Sequence, residues 1–336
     1  MNRQTAAALK RYLAEGGTLG SLAKRPKKRA ATAAFPCDPA AVYETQVAAL
    51  ATRLKRIGVK DVTIGLSGGL DSALCLLVAV GAFARLGLDR KGIHVYTLPG
   101  FGTTKRTKGN AERMCEGLGL ALETIDITKA CRQHFKDIGH DGTTPDVVFE
   151  NAQARMRTLI LMDKANMTGG IVLGTGDLSE IALGWCTYNG DHMSMFGVNA
   201  GVPKTVVRTV CTWWAESHGG AAAAILDIVA TPVSPELIKG QKTEDTIGPY
   251  ELHDFFLWNF IVNGLDRADL LAAAKTFFKG RFPAALVKKT LDTFLYRLVA
   301  QAFKRNCAPD GIPVFPVMFA PDAWHIPSDL PPGILL

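Results

Sequence analysis

At 336 residues and 48% hydrophobic composition, with a mean hydropathy of +0.12, the chain is long enough for one large domain or two small ones and for a sizeable buried core. Its longest apolar stretch, about Ala73 to Ala84, is too short to span a bilayer. Its seven cysteines (37, 75, 115, 131, 186, 211 and 307) contain no CxxC pair, which argues against a disulfide framework and a zinc or iron–sulfur site.

The net charge of +7 is carried entirely by residues 1–30, where eight basic side chains face one acid; thirty basic and thirty acidic residues make up the rest. A neutral body argues against nucleic acid as a partner. Residues 1–35 therefore read as a basic, solvated, flexible arm with a short helix at Thr5–Glu15. Polyanion binding or an address at Lys24–Arg29 is the alternative. With no secretory segment near Met1 and no membrane span, scattered reduced thiols fit a cytoplasmic enzyme.

After the arm, apolar spacing predicts a helix over residues 39–57. Strand and helix signals then alternate. Strands are expected at Val62–Leu66, Ile93–Leu98, Leu122–Ile127 and Ile171–Gly174, and helices at Ser72–Leu86, Thr107–Leu118 and Glu150–Asn166. Such alternation predicts an α/β fold, a doubly wound parallel sheet with helices on both faces. Ligands of these sheets sit at the carboxyl ends of the strands, so the loops after Leu66, Leu98 and Leu173 should converge. Beyond Val202 the pattern is helical: Lys204–Ser217, Ala221–Val229, Pro249–Asn263, Asp266–Phe278 and Pro283–Phe303. Seven of the 17 prolines lie between Pro309 and Pro332, which predicts an extended tail over the body. The expected organisation is an arm (1–35), one α/β domain (36–303) and a Pro-rich extension packed on it (304–336).

The stretch from Gly65 through Leu66, Ser67, Gly68, Gly69, Leu70 and Asp71 to Ser72 follows a strand and opens a helix. Glycines there let backbone N–H groups approach an anion, and the helix N-terminus adds partial positive charge. A carboxylate beside bound phosphates is repulsive unless a divalent cation lies between them, so Asp71 reads as a magnesium ligand. No Gly-Lys-Ser/Thr follows, so this is not a Walker A loop. The pattern Ser-Gly-Gly-x-Asp-Ser resembles the ATP pyrophosphatase superfamily, which cleaves ATP between its α and β phosphates.

A second cluster runs from Gly174 to Tyr188, where a small polar loop precedes a helix carrying Glu180. Glu180 is a second magnesium ligand or, equally, a glutamate favoured by the helix dipole. Trp185 and Tyr188 offer a stacking surface or pack in the core. Together with Gly201-Val202-Pro203-Lys204-Thr205, Phe149–Arg155, Leu98–Phe101, Ser234–Leu237, Gly248–Phe255 and Phe303–Arg305, these segments resemble NAD synthetase. The synthetase half of the glutamine-dependent enzymes is most similar, over roughly residues 36 to 330.

The resemblance implies an adenine nucleotide α-hydrolase-like fold with a helical C-terminal part. It implies ATP and Mg2+, with ATP and deamido-NAD as substrates, and NAD formation through an adenylated intermediate. ATP would be held by Gly65 to Ser72, Leu98, Thr175, Lys204 and Ser234, with Asp71 and Lys204 catalytic. A bland alternative for Lys204 is a surface lysine, although a cation at a helix start opposes the dipole. Magnesium would be held by Asp71 and Glu180, and deamido-NAD by Asn151, Arg155, Glu180, Trp185, Cys186, Thr187, Tyr188 and Lys304. A homodimer or larger oligomer is also implied.

The glutamine-dependent enzymes carry a nitrilase-type amidohydrolase ahead of this region. About 35 residues precede it here, too few for such a domain, so the chain is expected to use ammonia directly or to receive it from a separate glutaminase. The rival readings are another adenylating ATP pyrophosphatase and a non-catalytic nucleotide-binding relative.

Overall fold

The computed structural model describes residues 3–33, 35–234, 237–238, 240, 242–319, 323–327, 330–331 and 333–336. Pro235, Glu236 and parts of the expected arm (1–2, 34) and tail (320–322, 328–329, 332) lie outside the described residues. The elements follow in chain order. They are α1 (Arg3–Ala14), α2 (Pro39–Ile57), β1 (Val62–Gly65), α3 (Leu70–Leu86), β2 (Ile93–Thr97), α4 (Lys105–Leu118), β3 (Leu122–Thr124), α5 (Thr128–Asp137), α6 (Val147–Thr168) and β4 (Ile171–Gly174). Then come α7 (Leu178–Leu183), β5 (Phe196–Gly197), α8 (Lys204–Ser217), α9 (Ala222–Val229), α10 (Thr243–Ile247), α11 (Tyr250–Ile261), α12 (Arg267–Phe277), α13 (Ala284–Ala300) and α14 (Ala302–Arg305).

The five strands form one parallel sheet in the order β3-β2-β1-β4-β5. The chain moves outward from β1 to β3, then returns to β4 on the other side. That reversal places a crevice beyond the carboxyl ends of β1 and β4.

Strand periodicity sorts the core. Val62 and Ile64 of β1 and Ile93 and Val95 of β2 belong to the large cluster shared with α2, α3, α8 and α11. Tyr96 points to the opposite face and joins Leu98, Ile127, Cys131, Phe135 and Phe149 beneath α5 and α6. α3 packs on β1 and is covered by α2 and α8. Its apolar run is therefore a helix buried all round, and no helix among the described residues is long and apolar enough to cross a membrane. The seven cysteines are free thiols.

Two expectations are corrected, and a third gains detail. Part of the arm is docked rather than solvated. Arg25 donates to the Gly264 and Leu265 carbonyls at 2.9 and 2.7 Å and lies over the Phe260 ring. Thr32 exchanges two 2.9 Å hydrogen bonds with the Asn259 amide. The cause is the turn that follows α11: the Asn263, Gly264 and Leu265 carbonyls take their donors from Arg29 and Arg25 of this segment. Second, the helix expected over 283–303 breaks at Gln301, and a separate short helix, α14, follows. The break lets Arg305 reach the Ala182 carbonyl at 2.8 Å. Third, the tail is more than a cover: Gly197 donates to the Asp310 carbonyl at 2.7 Å, and a parallel bridge to Gly311 extends the sheet past β5. The helix α5 had no reading from sequence, because only Cys131 and Phe135 of its ten residues are buried.

Candidate active site

The loop after β1 is held by its own groups. Ser67 Oγ accepts from the Gly69 N–H at 3.1 Å, and Ser72 Oγ donates to the Gly69 carbonyl at 3.0 Å. The two hydroxyls lie 3.1 Å apart. Gly68 has φ +80°, and a Cβ there would lie 2.0 Å from the Thr107 carbonyl oxygen. Only glycine fits this turn. Asn199 joins the loop to the one after β4, donating to the Asp71 and Thr175 carbonyls at 2.8 and 3.0 Å.

Beside the loop lies a charged cage. Lys204, the first residue of α8, is 2% exposed, and its Nζ lies 2.6 Å from Asp71, 2.6 Å from Asp177 and 2.8 Å from Glu180. The Tyr250 ring centroid is 5.2 Å from the ammonium. The start of α8 is fixed from two sides. Lys204 N–H donates to Ser179 Oγ at 2.9 Å, and Thr205 N–H donates to Asp254 of α11 at 2.9 Å. Ser179 in turn donates to Asp254.

Electrostatics follow from burial. Burial pushes the Asp71 carboxyl up to about 6, with Lys204 opposing and Asp177 adding to the rise. Glu180 is raised well above its usual range, also first by burial. For Lys204 burial works downward, but Asp177, Asp71 and Glu180 overcome it and hold the amine firmly protonated.

This donor set suits a divalent cation. Ligand atoms of Asp71, Asp177 and Glu180 lie within 4.8 Å of one another, and the buried Asp71 Oδ1 has no hydrogen-bond partner. Three carboxyl groups surround one ammonium, and a bound cation would favour their ionised forms. All-oxygen donors are what magnesium takes.

A cleft of about 630 Å³ runs from the loop to the region after α7. It is lined by Gly65 to Asp71, Leu98, Thr175, Glu180 and Ser234, and continues to Asn151, Trp185 to Tyr188 and Lys304. Ser72, Lys204 and Arg155 do not line it.

The NAD synthase family model matches residues 42–280. The chain belongs to the NAD synthase family. It is 37% identical over 330 residues to the glutamine-dependent NAD(+) synthetase of Mycobacterium leprae, covering 88% of this chain and 48% of that protein. The chain thus spans about half the length of the curated relatives it matches. Among solved structures, a glutamine-dependent NAD(+) synthetase from Cytophaga hutchinsonii has a TM-score of 0.69 at 16% identity, over 85% of this chain and 53% of that one. The NMN synthetase of Francisella tularensis has a TM-score of 0.58 at 24% identity, over 72% and 93%. These two are likenesses of fold.

Within this NAD synthase family chain, the far half of the cleft is shaped by aromatic and backbone groups. Tyr188 is 37% exposed, 5.6 Å from the His192 ring and 5.5 Å from Phe303. Trp185 is half-buried beneath the Arg297 guanidinium at 5.2 Å, so it also serves the core. Thr187 donates to Asn151 Oδ1 at 2.8 Å. Arg155 donates to the Tyr188 carbonyl at 3.1 Å, and Lys304 to the Gly184 and Cys186 carbonyls at 3.0 and 2.6 Å. Both cations therefore hold the segment 184–188 in shape.

Three contributors had no assigned role from sequence: Asp177, Asn199 and Asp254. Asp177 sits inside the recognised Gly174–Tyr188 cluster, and its place just before α7 marks it as a helix cap. Asp254 likewise sits inside the recognised Gly248–Phe255 segment, whereas Asn199 carried no local signal, because its partners are 24 or more residues away.

Proposed function

We propose that the chain makes NAD by amidating deamido-NAD with ATP and ammonia. The observation that carries this reading is the single cleft joining a phosphate loop and carboxylate–lysine cage to the aromatic segment 184–188. In the first half-reaction a nicotinate carboxylate oxygen attacks the α-phosphorus, and pyrophosphate leaves. In the second, ammonia attacks the activated carbonyl carbon, the bond to AMP breaks, and the excess proton is released. AMP is a far better leaving group than oxide, which is why the carboxylate must be adenylated first.

The residues supply positioning and charge. The loop Gly65–Gly69 and the start of α3 line the end of the cleft assigned to the phosphates. Asp71 and Glu180 would hold Mg2+, which supplies charge neutralisation for the triphosphate when bound. Lys204 adds a fixed positive charge behind them. Tyr188 and Trp185 offer ring faces to the dinucleotide. Burial holds the Cys186 thiol, which lines the cleft, well above the ordinary thiol value, so it takes no part as a nucleophile in this reading. A second copy of the chain is proposed to cover the outward face of α6.

The test is turnover of the purified chain with ATP, Mg2+, deamido-NAD and either ammonium or glutamine. NAD, AMP and pyrophosphate are expected in equal amounts with ammonium. No NAD with ammonium would sink the proposal, and NAD from glutamine alone would overturn the donor. Nicotinate mononucleotide as substrate in a parallel reaction tells a dinucleotide site from a mononucleotide one.

A further inference from the structure

Asp177 is fully buried, and its two oxygens act on different elements. Oδ1 accepts from the Ser179 and Glu180 N–H groups at 2.7 and 3.0 Å and caps α7. Oδ2 lies 2.6 Å from Lys204 Nζ. The other two partners of that ammonium differ in kind. The Asp71 and Glu180 side chains are 20% and 19% exposed and border the cleft, whereas Asp177 is 0% exposed and does not.

Asp71 and Glu180 can therefore turn toward a bound cation, while Asp177 is tied to the α7 backbone. The inference rests on the metal reading of Asp71 and Glu180. A divalent cation that takes those two carboxylates removes two of the three anions around a fully buried ammonium. A buried charge stripped of its partners is strongly unfavourable. We propose that Asp177 is the positioning residue that holds Lys204 in place while Asp71 and Glu180 bind the cation. Without this third carboxylate, the ammonium and the cation compete for the same two groups.

Asp177→Asn tests this role, because asparagine keeps the Oδ1 acceptor that caps α7 and replaces the anionic oxygen facing Lys204 with a neutral NH2 group. Mn2+ titration followed by electron paramagnetic resonance reads the site directly on the full chain. Wild type is expected to bind Mn2+, and Asp71→Asn to weaken it. Asp177→Asn is expected to weaken it by about tenfold to a hundredfold, the scale of lost outer-shell support. The double variant Asp177→Asn/Lys204→Met should recover most of that loss, since no ammonium then competes. A merely structural role for Asp177 would show no such rescue. Unchanged Mn2+ affinity in Asp177→Asn, or a double variant as weak as the single, overturns the proposal. Should Asp177→Asn fail to fold, Lys204→Met alone decides: affinity at or above wild type supports competition, and a loss overturns it. A wild type that binds no Mn2+, or one indifferent to Asp71→Asn, overturns the metal reading and this role with it.

Discussion

Gly68 shows how much one residue of the loop decides. Its φ of +80° costs an L-residue about 1–2 kcal/mol. A side chain would also strike the backbone oxygen of Thr107, which cannot swing aside as a flexible side chain could. Gly68→Ala is therefore expected to lose about 2 kcal/mol of stability and to displace the loop from ATP. Gly176→Ala is the control, since a Cβ there meets nothing within 4 Å. Calorimetric titration with a non-hydrolysable ATP analogue checks this, and equal affinity in the two variants would remove Gly68 from the cradle. The loop was legible in sequence because glycine and serine identities encode backbone geometry directly. The turn of Lys204 away from the cleft and into three carboxylates was not, because it depends on where α7 and α3 lie in space.

Element by element, α11 carries the largest hidden load. All of its residues except Glu251 are buried, and it braces α8 through Asp254 and receives the arm through Asn259. His253 on this helix is fully buried, with its Nε2 2.9 Å from the Ile247 carbonyl. Burial pushes its pKa down to about 4. The unfolded chain therefore takes up this proton first on acidification. The stability from neutral His253 is fully present above the ordinary histidine value and is lost as pH falls through about 4. Asp71 and Asp254, both raised by burial to about 6, act in the opposite sense: their contribution is present below the ordinary carboxylate value and fades as pH rises through 6. His253→Gln keeps a donor for Ile247 and removes the titration. Denaturant melts at pH 7 and pH 4.5 should show wild type losing about 2–3 kcal/mol more than the variant. Equal losses would show that His253 does not set acid lability. The existence of α11 was readable from its apolar density, but its role as the brace of the site was not, since its partners are distant in sequence.

For the whole molecule, the outer face of α6 is the conspicuous surface. Leu159 is 56% exposed and Met167 79%, on a helix that covers β1 and β4 with its other side. This is the face on which a second copy of the chain is proposed to pack, in a symmetric pair of such helices. Sedimentation velocity is expected to show a dimer for wild type and a monomer for Leu159→Glu. A wild type that sediments as a monomer at micromolar concentration would refute a second copy as the cover for α6. The neutral charge of the body outside the arm is consistent with such self-association, whereas the docked Arg25 shows that part of the basic segment serves the fold.

The amino-acid order by itself determined the α/β class and the strand–loop–helix turn at Gly65–Ser72, and it drew attention to Asp71 beside that turn. Each of these is a local property, written in turn chemistry and in periods of two or 3.6 residues. Tertiary structure alone decided which groups meet: Asp177 and Asp254 with α8, Asn199 between two loops, Arg25 in the turn after α11, and Asp310 beside β5. Such partners lie far apart along the chain and leave no periodic trace. A buried charge or an open carbonyl finds its counterpart only once the sheet and its helices have brought the two together.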